Sequence, residues 1–483
     1  MIAASIYRSM RWSIHRKIRR WAQRALFVSL VLAPAFASAE LPVEVAQALQ
    51  QAGIPDSHVA VLVQELGNPM PLLAHGEAVS FNPASVMKLI TTLAALDSLG
   101  PAHTFKTRVY RDGPLLDGVL HGNLVFQGGG DPALTLERFW LLLRELRQRG
   151  VREIRGDILL DTQYYQIDAI DPGAFDQAPL RPYNAPPSAM LVNFNLLNLR
   201  LSAAGEEIGV RLEPPPAEQN LSLVNLLQKT DEPCNGARER LRSTKVDASL
   251  ILAGAYPSEC GEQAFPLNLL TPDATFGTIF IELWRSLGGE LVGEVRLGVL
   301  EPSARSLLEF ESPPLSQLVR DINKHSNNVM AKMLFLNLGA ERFEVPATWE
   351  KGERAVKAWA NEAGLKMPEL VLENGSGLSR IERISAASLA NMLSYAAMRP
   401  VYYEFAASLP AVGLEGTQKG RLNGSAAEGA AWLKSGSLNG ARNLAGYLLG
   451  PNGSRRILIM LINHPKASTS AEAQAKMLNW SMQ

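Results

Sequence analysis

The sequence lacks the features that mark several large classes of protein. Its 483 residues include only two cysteines, which excludes the disulfide framework of a small secreted scaffold. The 47 basic residues are balanced by 47 acidic residues, so the cationic surplus of a nucleic-acid-binding protein is absent. There is no internal repeat and no low-complexity tract that would indicate disorder. After residue 40 no uninterrupted apolar segment reaches spanning length, and we expect no membrane span there.

Metal and cofactor motifs are missing too. The seven histidines are scattered and, with two cysteines, give no zinc-ligand spacing. Residues 128–130, a run of three glycines, lack the Gly-Lys-Ser/Thr that completes a phosphate-binding loop, and we interpret them as a turn after a strand. Gly-x-Ser-x-Gly and His-Glu-x-x-His are also absent. The sequence therefore predicts no metal and no organic cofactor.

The first 39 residues differ from the rest of the chain. They contain seven of the 47 basic residues and no acid, and an apolar run at residues 25–33 is followed by Ala37-Ser38-Ala39. This order is typical of a secretory signal cleaved after Ala39, although an uncleaved membrane anchor is the alternative. After removal of residues 1–39, the chain has 40 basic and 47 acidic residues, which gives a formal charge of −7. We expect an exported, mildly acidic protein of the periplasm.

The distribution of helix and strand patterns predicts one α/β domain with an insert. Strand patterns lie near both ends of the chain, at residues 59–65, 71–75, 430–434, 443–449 and 456–462. Between residues 104 and 267 short alternating strands with glycine turns dominate. We therefore predict a domain of residues 40–103 and 268–483, whose sheet uses both chain ends, and a β-rich insert at 104–267.

Cys234 and Cys260 both lie in the predicted insert, 26 residues apart. In an oxidising compartment we expect them to form a disulfide. Such a bridge stabilises a protein by about 3–4 kcal/mol when it is unstrained.

Ser85 and Lys88 form the single Ser-x-x-Lys of the chain. Residues 81–85 predict the start of a helix, on which positions i and i+3 are neighbours about 5–6 Å apart at Cβ. The helix is apolar almost all round and must be buried, and burial lowers the pKa of a lysine towards the range of a base. Because Ser-x-x-Lys recurs by chance, a helix-start serine with a snorkelling lysine is the alternative.

Two further elements follow in a fixed order. Ser326-Asn327-Asn328 precedes an apolar helix pattern, and Lys434-Ser435-Gly436-Ser437 ends an apolar strand pattern. Ser-x-Asn is weak by itself, since it occurs elsewhere in the chain, whereas Lys-[Ser/Thr]-Gly occurs once. Together with Ser-x-x-Lys, these elements are the triplet of penicillin-binding proteins and serine β-lactamases.

The chain resembles the D-alanyl-D-alanine carboxypeptidase/endopeptidase family, the DacB or penicillin-binding protein 4 type of peptidase family S13. The gap of 241 residues between Ser85 and Ser326 is much longer than in β-lactamases and other carboxypeptidases. The similarity covers essentially the whole chain after residue 39 and includes residues 128–132, 185–187, 374–380 and 444–447. It implies a transpeptidase-like α/β fold, an antiparallel sheet flanked by helices, interrupted by the β-rich insert.

The resemblance implies roles for the first two motifs. Ser85 would be the acylated nucleophile and Lys88 its base. Ser326 would relay a proton to the leaving amine, and Asn328 would bind the substrate amide. Asn327 stands where the family often has Asp, and we expect no chemistry from it.

The third motif is implied to bind the end of the substrate. Lys434 would keep the site electropositive and attract the terminal carboxylate, which the Ser435 hydroxyl would bind. The family usually has Thr at Ser435, but the hydroxyl is retained. Gly436 and Ser437 would complete the binding strand, and the N–H groups of Ser85 and Ser437 would form the oxyanion hole.

One substrate contact is expected from the insert. Members of the family use an acidic residue before the Ala-Pro-Pro segment to bind the free amino-acid end of a diaminopimelate side chain. Counting back from Ala185 gives Ala178 at that place, and Asp176 lies two residues earlier. We expect Asp176 to take the role with a shifted loop; the alternative is a solvated loop aspartate.

The implied function is a serine D-Ala-D-Ala carboxypeptidase and DD-endopeptidase acting through an acyl-enzyme. Its partners would be peptidoglycan stem peptides, with β-lactams as covalent inhibitors. We expect no nucleic-acid partner and no membrane span after signal cleavage. A homo-oligomer is possible on this sequence. A serine β-lactamase is one alternative, opposed by the long insert and the lack of a deacylating Glu motif. A catalytically weak penicillin-binding or cell-wall scaffold is another, opposed by intact Ser85, Lys88 and Lys434.

Overall fold

The structure is a computed structural model that describes residues 40–216 and 221–483. The predicted signal peptide, residues 1–39, lies outside the described residues. Leu41–Gln483 form one compact unit. In the part of the chain that is described, no helix combines the length and the apolar character needed to cross a bilayer.

Helices and strands alternate along the described chain. The α-helices are α1 (Val43–Gln51), α2 (Lys88–Leu99), α3 (Leu136–Gln148), α4 (Ala237–Arg240), α5 (Pro272–Ser286), α6 (Leu315–His325), α7 (Asn328–Phe343), α8 (Trp349–Glu362), α9 (Ala386–Ala396), α10 (Tyr402–Ser408) and α11 (Ala471–Ser481). The strands are β1 (Val59–Glu65), β2 (Pro71–His75), β3 (Ser80–Phe81), β4 (Lys106–Arg111), β5 (Leu115–Leu116), β6 (Val119–Leu120), β7 (Leu124–Gly128), β8 (Glu153–Ile154), β9 (Ile158–Asp161), β10 (Leu197–Ser202), β11 (Gly209–Glu213), β12 (Ser222–Thr230), β13 (Leu241–Val246), β14 (Ser249–Pro257), β15 (Glu262–Leu267), β16 (Glu290–Leu291), β17 (Val295–Leu297), β18 (Arg305–Glu311), β19 (Ile384–Ser385), β20 (Ala431–Leu438), β21 (Ala441–Leu449) and β22 (Arg455–Asn463).

The central sheet joins the two ends of the chain. Its order is β2-β1-β22-β21-β20, and every neighbouring pair is antiparallel. Successive residues of a strand point to opposite faces, so β22 supplies two cores at once. Its inward residues on the two faces are Ile457, Ile459 and Leu461, and Leu458, Met460 and Ile462. The predicted fold class, with a sheet built from both chain ends, is confirmed.

Strand β20 is longer than the sequence pattern indicated. The apolar pattern was expected to end at Lys434, but the strand continues to Leu438. Ser435 pairs with Leu444 and Ser437 with Arg442 of β21. Pairing uses backbone groups, so the strand extends beyond the point where its side chains stop being apolar.

The long middle segment forms four further sheets. Their orders are β17-β9-β7-β4-β18, β16-β8-β6-β5, β11-β10-β15 and β12-β14-β13. The core they share also contains side chains of helices α3 and α5. The disulfide predicted within this segment is present between Cys234 and Cys260.

The expected end of the insert at residue 267 needs revision. Helix α5 packs in the insert core through Phe276 and Phe280, and β18 pairs with β4. We expected α5 in the second segment of the central domain, where helical patterns dominate. Periodicity predicts which face of a helix is buried, but it does not identify the core against which that face packs. We propose that the insert ends at Glu311 and that the second domain segment begins after it.

Replacing Phe280 with alanine tests this boundary. Phe280 is fully buried, with its ring centroid 5.8 Å from that of Phe126 and 6.0 Å from that of Phe276. Truncating such a side chain costs about 3–5 kcal/mol of folding free energy. Hydrogen exchange measured by mass spectrometry should become faster in β4, β7 and β9, while β1 and β22 keep their protection.

The matched control is Phe405→Ala, since Phe405 is equally buried but lies in the core beside the central sheet. This variant should loosen the central sheet and spare the insert strands. If Phe280→Ala loosened β1 and β22 as much as β7, helix α5 would belong with the central domain.

Candidate active site

Ser85 lies in a tight turn that precedes the first buried helix. A continuous helix was expected here, but residues Ala84–Met87 form a 3₁₀ turn and α2 begins at Lys88. Ala84 has φ +47°, a left-handed conformation that is strained for a residue with a side chain. Asn82 stabilises it, because its Oδ1 accepts from the Ala84 N–H at 2.9 Å and its Nδ2 donates to the Ser379 carbonyl at 2.9 Å. The nucleophile candidate therefore lies on a preformed bend.

Lys88 is completely buried and surrounded by oxygen acceptors. Its Nζ lies 3.0 Å from Ser85 Oγ and 2.5 Å from Asn328 Oδ1, and it also donates to the Ser376 carbonyl. Burial, followed by repulsion from Lys434, holds the pKa of Lys88 well below its usual value. Burial therefore makes the Lys88 amine easier to deprotonate than an exposed lysine, and it lies beside a serine hydroxyl.

The Ser-x-Asn motif forms the junction between two helices. Helix α6 ends at His325, Ser326 has φ +57°, and α7 begins at Asn328. Asn327 caps α7, since its Oδ1 accepts from the Met330 N–H at 3.1 Å. The middle residue of the motif thus starts a helix, while its neighbours face the site.

Lys434 is the second fully buried lysine. Its Nζ donates to Ser326 Oγ at 2.9 Å and to the Ser435 carbonyl at 2.9 Å. Burial lowers the pKa of Lys434 to about 7. Ser435 Oγ donates to Thr417 Oγ1 at 3.1 Å, a contact that the motif alone did not indicate.

Strand β20 presents an open edge to the site after Leu433, because residues 410–412 cover its first residues. It is the last strand of its sheet, and the Leu433 N–H donates to the Pro410 carbonyl on the side away from β21. Backbone directions alternate along a strand, so Ser435 and Ser437 direct their N–H and C=O groups to the same open side. An extended peptide can add at this edge.

Gly436 lets this strand approach the Ser85 turn. A Cβ at this position would lie 2.4 Å from the Pro83 carbonyl oxygen and 3.1 Å from the Ser85 nitrogen. Any side chain would push the strand away from the turn. The glycine therefore sets the spacing between the N–H of Ser85 and that of Ser437.

Glu382 and Lys332 are buried charged groups that the sequence analysis missed. Glu382 Oε1 accepts the N–H groups of residues 373–375 at 3.0–3.1 Å, and burial raises the pKa of its carboxyl. This anchors the loop whose Ser376 carbonyl accepts from Lys88. Lys332 lies one turn after Asn328, and burial lowers its pKa to about 8. The one sequence signal that could have identified Glu382 is its position as an acidic residue directly after the glycine-containing segment 374–380.

Asp176 is exposed and does not join the cluster directly. Its Oδ1 accepts from the Ala178 N–H at 3.1 Å and from Asn184 Nδ2 at 2.7 Å, and its Oδ2 accepts from the Tyr183 hydroxyl at 2.8 Å. The Tyr183 carbonyl in turn accepts from Asn328 Nδ2 at 3.4 Å. Asp176 therefore reaches the cluster through Tyr183.

The structure thus brings the three motifs together. One chain of contacts links Ser85, Lys88 and Asn328, and another links Ser326 with Lys434. In the described ranges no group of three or more His, Cys, Asp or Glu side chains is arranged to hold a metal ion. The arrangement offers two serine hydroxyls, each beside a buried lysine whose pKa is lowered by burial.

A family model described as the D-Ala-D-Ala carboxypeptidase 3 (S13) family matches residues 41–483. The chain belongs to the S13 family. The resemblance drawn from the motifs is confirmed, and this S13 chain is a serine-type D-Ala-D-Ala carboxypeptidase.

Individual relatives agree with this assignment. A D-alanyl-D-alanine carboxypeptidase of Actinomadura sp. (strain R39) is 30% identical over 399 residues, 79% of this chain and 73% of the relative. D-alanyl-D-alanine carboxypeptidase DacB of Haemophilus influenzae is 26% identical over 415 residues, 84% of this chain and 85% of the relative.

Solved structures agree with the fold. The crystal structure of penicillin binding protein 4 (dacB) from H. influenzae superposes with a TM-score of 0.75 at 24% identity, covering 91% of this chain and 100% of that chain. A second structure of the same H. influenzae protein, complexed with a β-lactam, gives a TM-score of 0.73 at 24% identity, covering 92% of this chain and 100% of that chain.

Proposed function

We propose that this S13 enzyme is both a D-Ala-D-Ala carboxypeptidase and a DD-endopeptidase of peptidoglycan, acting through an acyl-enzyme at Ser85. The observation that carries the proposal is the 3.0 Å contact between Lys88 Nζ and Ser85 Oγ inside a fully buried network. The enzyme would release terminal D-Ala from stem peptides and cut D-Ala–diaminopimelate cross-links. The β-lactam complex of the H. influenzae relative supports inhibition of the same site by β-lactams.

Acylation begins with Lys88 as the general base. The neutral amine takes the proton of Ser85 Oγ, and the oxygen attacks the carbonyl of the penultimate D-Ala. The carbonyl oxygen gains negative charge, which the N–H groups of Ser85 and Ser437 stabilise. Gly436 supports this role, because only a residue without a side chain lets the strand lie so close to the turn.

The leaving amine receives its proton through Ser326. As the C–N bond breaks, the Ser326 hydroxyl donates to the nitrogen and is replenished from Lys434 Nζ, 2.9 Å away. Asn328 holds the substrate amide, while Lys434 and Ser435 hold the terminal carboxylate. Water then attacks the ester carbonyl and passes its proton through Ser326 to Lys434, the C–O bond to Ser85 breaks, and the protonated Lys88 returns its proton to Ser85 Oγ.

We also infer that the enzyme acts outside the cytoplasm. The disulfide between Cys234 and Cys260 supports an oxidising compartment. The sequence of residues 1–39 also supports export.

The decisive experiment treats exported enzyme with penicillin and with purified muropeptides. The adduct should map to the peptide containing Ser85, and mass spectra should show loss of D-Ala from monomers and splitting of cross-linked dimers. Spectra of the intact protein should show a chain beginning at Glu40. Sustained hydrolysis of penicillin would identify a β-lactamase, and acylation without peptide turnover would identify a weak scaffold. An adduct elsewhere would refute the assignment of Ser85.

Lys88→Ala should slow acylation by about 10²–10⁴-fold, the usual effect of removing a general base. The parent rate should rise with pH as Lys88 loses its proton, because only the neutral amine accepts one. Since burial lowers the pKa of Lys88, this rise should be complete below the range of an exposed lysine. The variant should lose the rise, as measured by stopped-flow acylation across pH.

The control is Lys357→Ala, on the exposed face of α8, which should acylate like the parent. A Lys88→Ala enzyme that acylates within a few-fold of the parent would mean that another group takes the proton.

Asp176 is proposed to bind the ammonium of a diaminopimelate side chain. Asp176→Asn removes the charge from an exposed group, so kcat/KM for diaminopimelate peptides should fall about tenfold. Acylation by a simple penicillin, which lacks this side chain, should change little.

The matched control is Asp171→Asn, since Asp171 is exposed in the same loop and accepts from the Gly173 N–H. Equal loss of both reactions in Asp176→Asn would assign a structural role, through Tyr183 and Asn184. No loss of either reaction would rule out the contact.

A further inference from the structure

A second cleft opens directly beside the Ser-x-Asn junction. It encloses about 500 Å³, and the catalytic candidates Ser326 and Asn328 form part of its wall. The insert supplies the facing wall, which contains Arg181 and Arg238. Phe194, Leu196 and Val329 add apolar surface between them. The cleft is therefore cationic on one side and reaches the reacting groups on the other.

Neither of the two arginines forms an ion pair within the described residues. Arg238 is half-buried, Arg181 is exposed, and neither guanidinium forms an ion pair or a hydrogen bond there. Asp176 does not neutralise them, because its oxygens accept from Ala178, Tyr183 and Asn184.

The two guanidinium groups also repel each other. Burial and then the charge of Arg181 lower the pKa of Arg238, with only a smaller opposing attraction from Glu239. Two like charges held in one cleft raise the free energy of the empty site, and an anion between them relieves it. A guanidinium also matches a carboxylate with two parallel hydrogen bonds.

We propose that Arg181 and Arg238 form a subsite for a carboxylate of the leaving peptide in a cross-linked substrate. The proposal rests on the proposed endopeptidase function. Ser326 lines this cleft and, in the proposed mechanism, protonates the leaving amine. The cleft therefore faces the leaving-group side of the scissile bond.

The carboxypeptidase and endopeptidase reactions differ in the leaving group that they place in this cleft. A released D-Ala has a single carboxylate, which Lys434 and Ser435 take, so it has no second anion for the cleft. The leaving group of the endopeptidase reaction is a whole stem peptide, which continues past the scissile bond and carries further carboxylates. The arginine pair therefore favours cleavage of cross-links over release of D-Ala.

The test compares both reactions in one preparation. Arg181→Gln, Arg238→Gln and the double variant are assayed on a cross-linked muropeptide dimer and on the matching pentapeptide monomer. Penicillin labelling counts the competent enzyme, so a partly misfolded variant does not mislead. For the double variant, the ratio of dimer to monomer kcat/KM should fall about tenfold, mainly through KM. The double Arg→Lys variant should retain part of the ratio, because it keeps the charge.

Arg285→Gln is the matched control, since Arg285 is an exposed arginine on α5 that does not line the cleft. A dimer in which the leaving-peptide carboxylates are amidated, except the one beside the scissile bond that Lys434 and Ser435 hold, completes the design. The parent should cleave it more slowly, and the double variant should show no further loss on it. An unchanged ratio in the double variant, or an equal loss on the amidated dimer, overturns the subsite. D-Ala release with no dimer cleavage by the parent refutes the endopeptidase function itself, and the subsite with it.

Discussion

The burial of two lysines in one site is the constraint on which the rest of the structure depends. An ammonium group removed from water is costly unless oxygen atoms surround it or it gives up its proton. Lys88 has oxygens from Ser85, Asn328 and Ser376 around its nitrogen, and Lys434 has Ser326 Oγ and a backbone carbonyl. These acceptors come from distant parts of the chain. The elements that carry them must therefore meet at one point for the buried amines to be tolerated.

Much of the fold and of the candidate site could be predicted from the sequence, because motif chemistry and strand periodicity are local signals. The sheet from both chain ends and the meeting of Ser-x-x-Lys, Ser-x-Asn and Lys-Ser-Gly were both expected and are present. Helix α5 was expected in the central domain, whereas its Phe276 and Phe280 pack among side chains of the insert strands, since periodicity does not name the partner. The Ser376 carbonyl could not be foreseen either, because every residue has one and only the fold selects which of them faces an amine.

Two residues with strained backbone conformations help to fix the positions of the serine hydroxyls in the site. Ala84 and Ser326 both adopt left-handed conformations next to reacting groups, and both are held by neighbouring structure. The Asn82 amide fixes the first, and the two helices that meet at Ser326 fix the second. Such residues keep the hydroxyls in place before substrate arrives, which removes part of the ordering cost from the reaction.

The antiparallel pairing of β1 with β22 also limits the order in which the site can assemble. Residues 59–65 pair with the nearby residues 71–75 on one side, but their partner on the other side is the distant strand of residues 455–463, and β20, the edge strand beside Ser85, spans residues 431–438. A chain in which Ser85 has folded but the two ends have not met therefore has neither the completed sheet nor the β20 edge beside Ser85. Contacts of such long sequence separation form late. The enzyme therefore reaches its active form only after the first and last segments of the chain have joined.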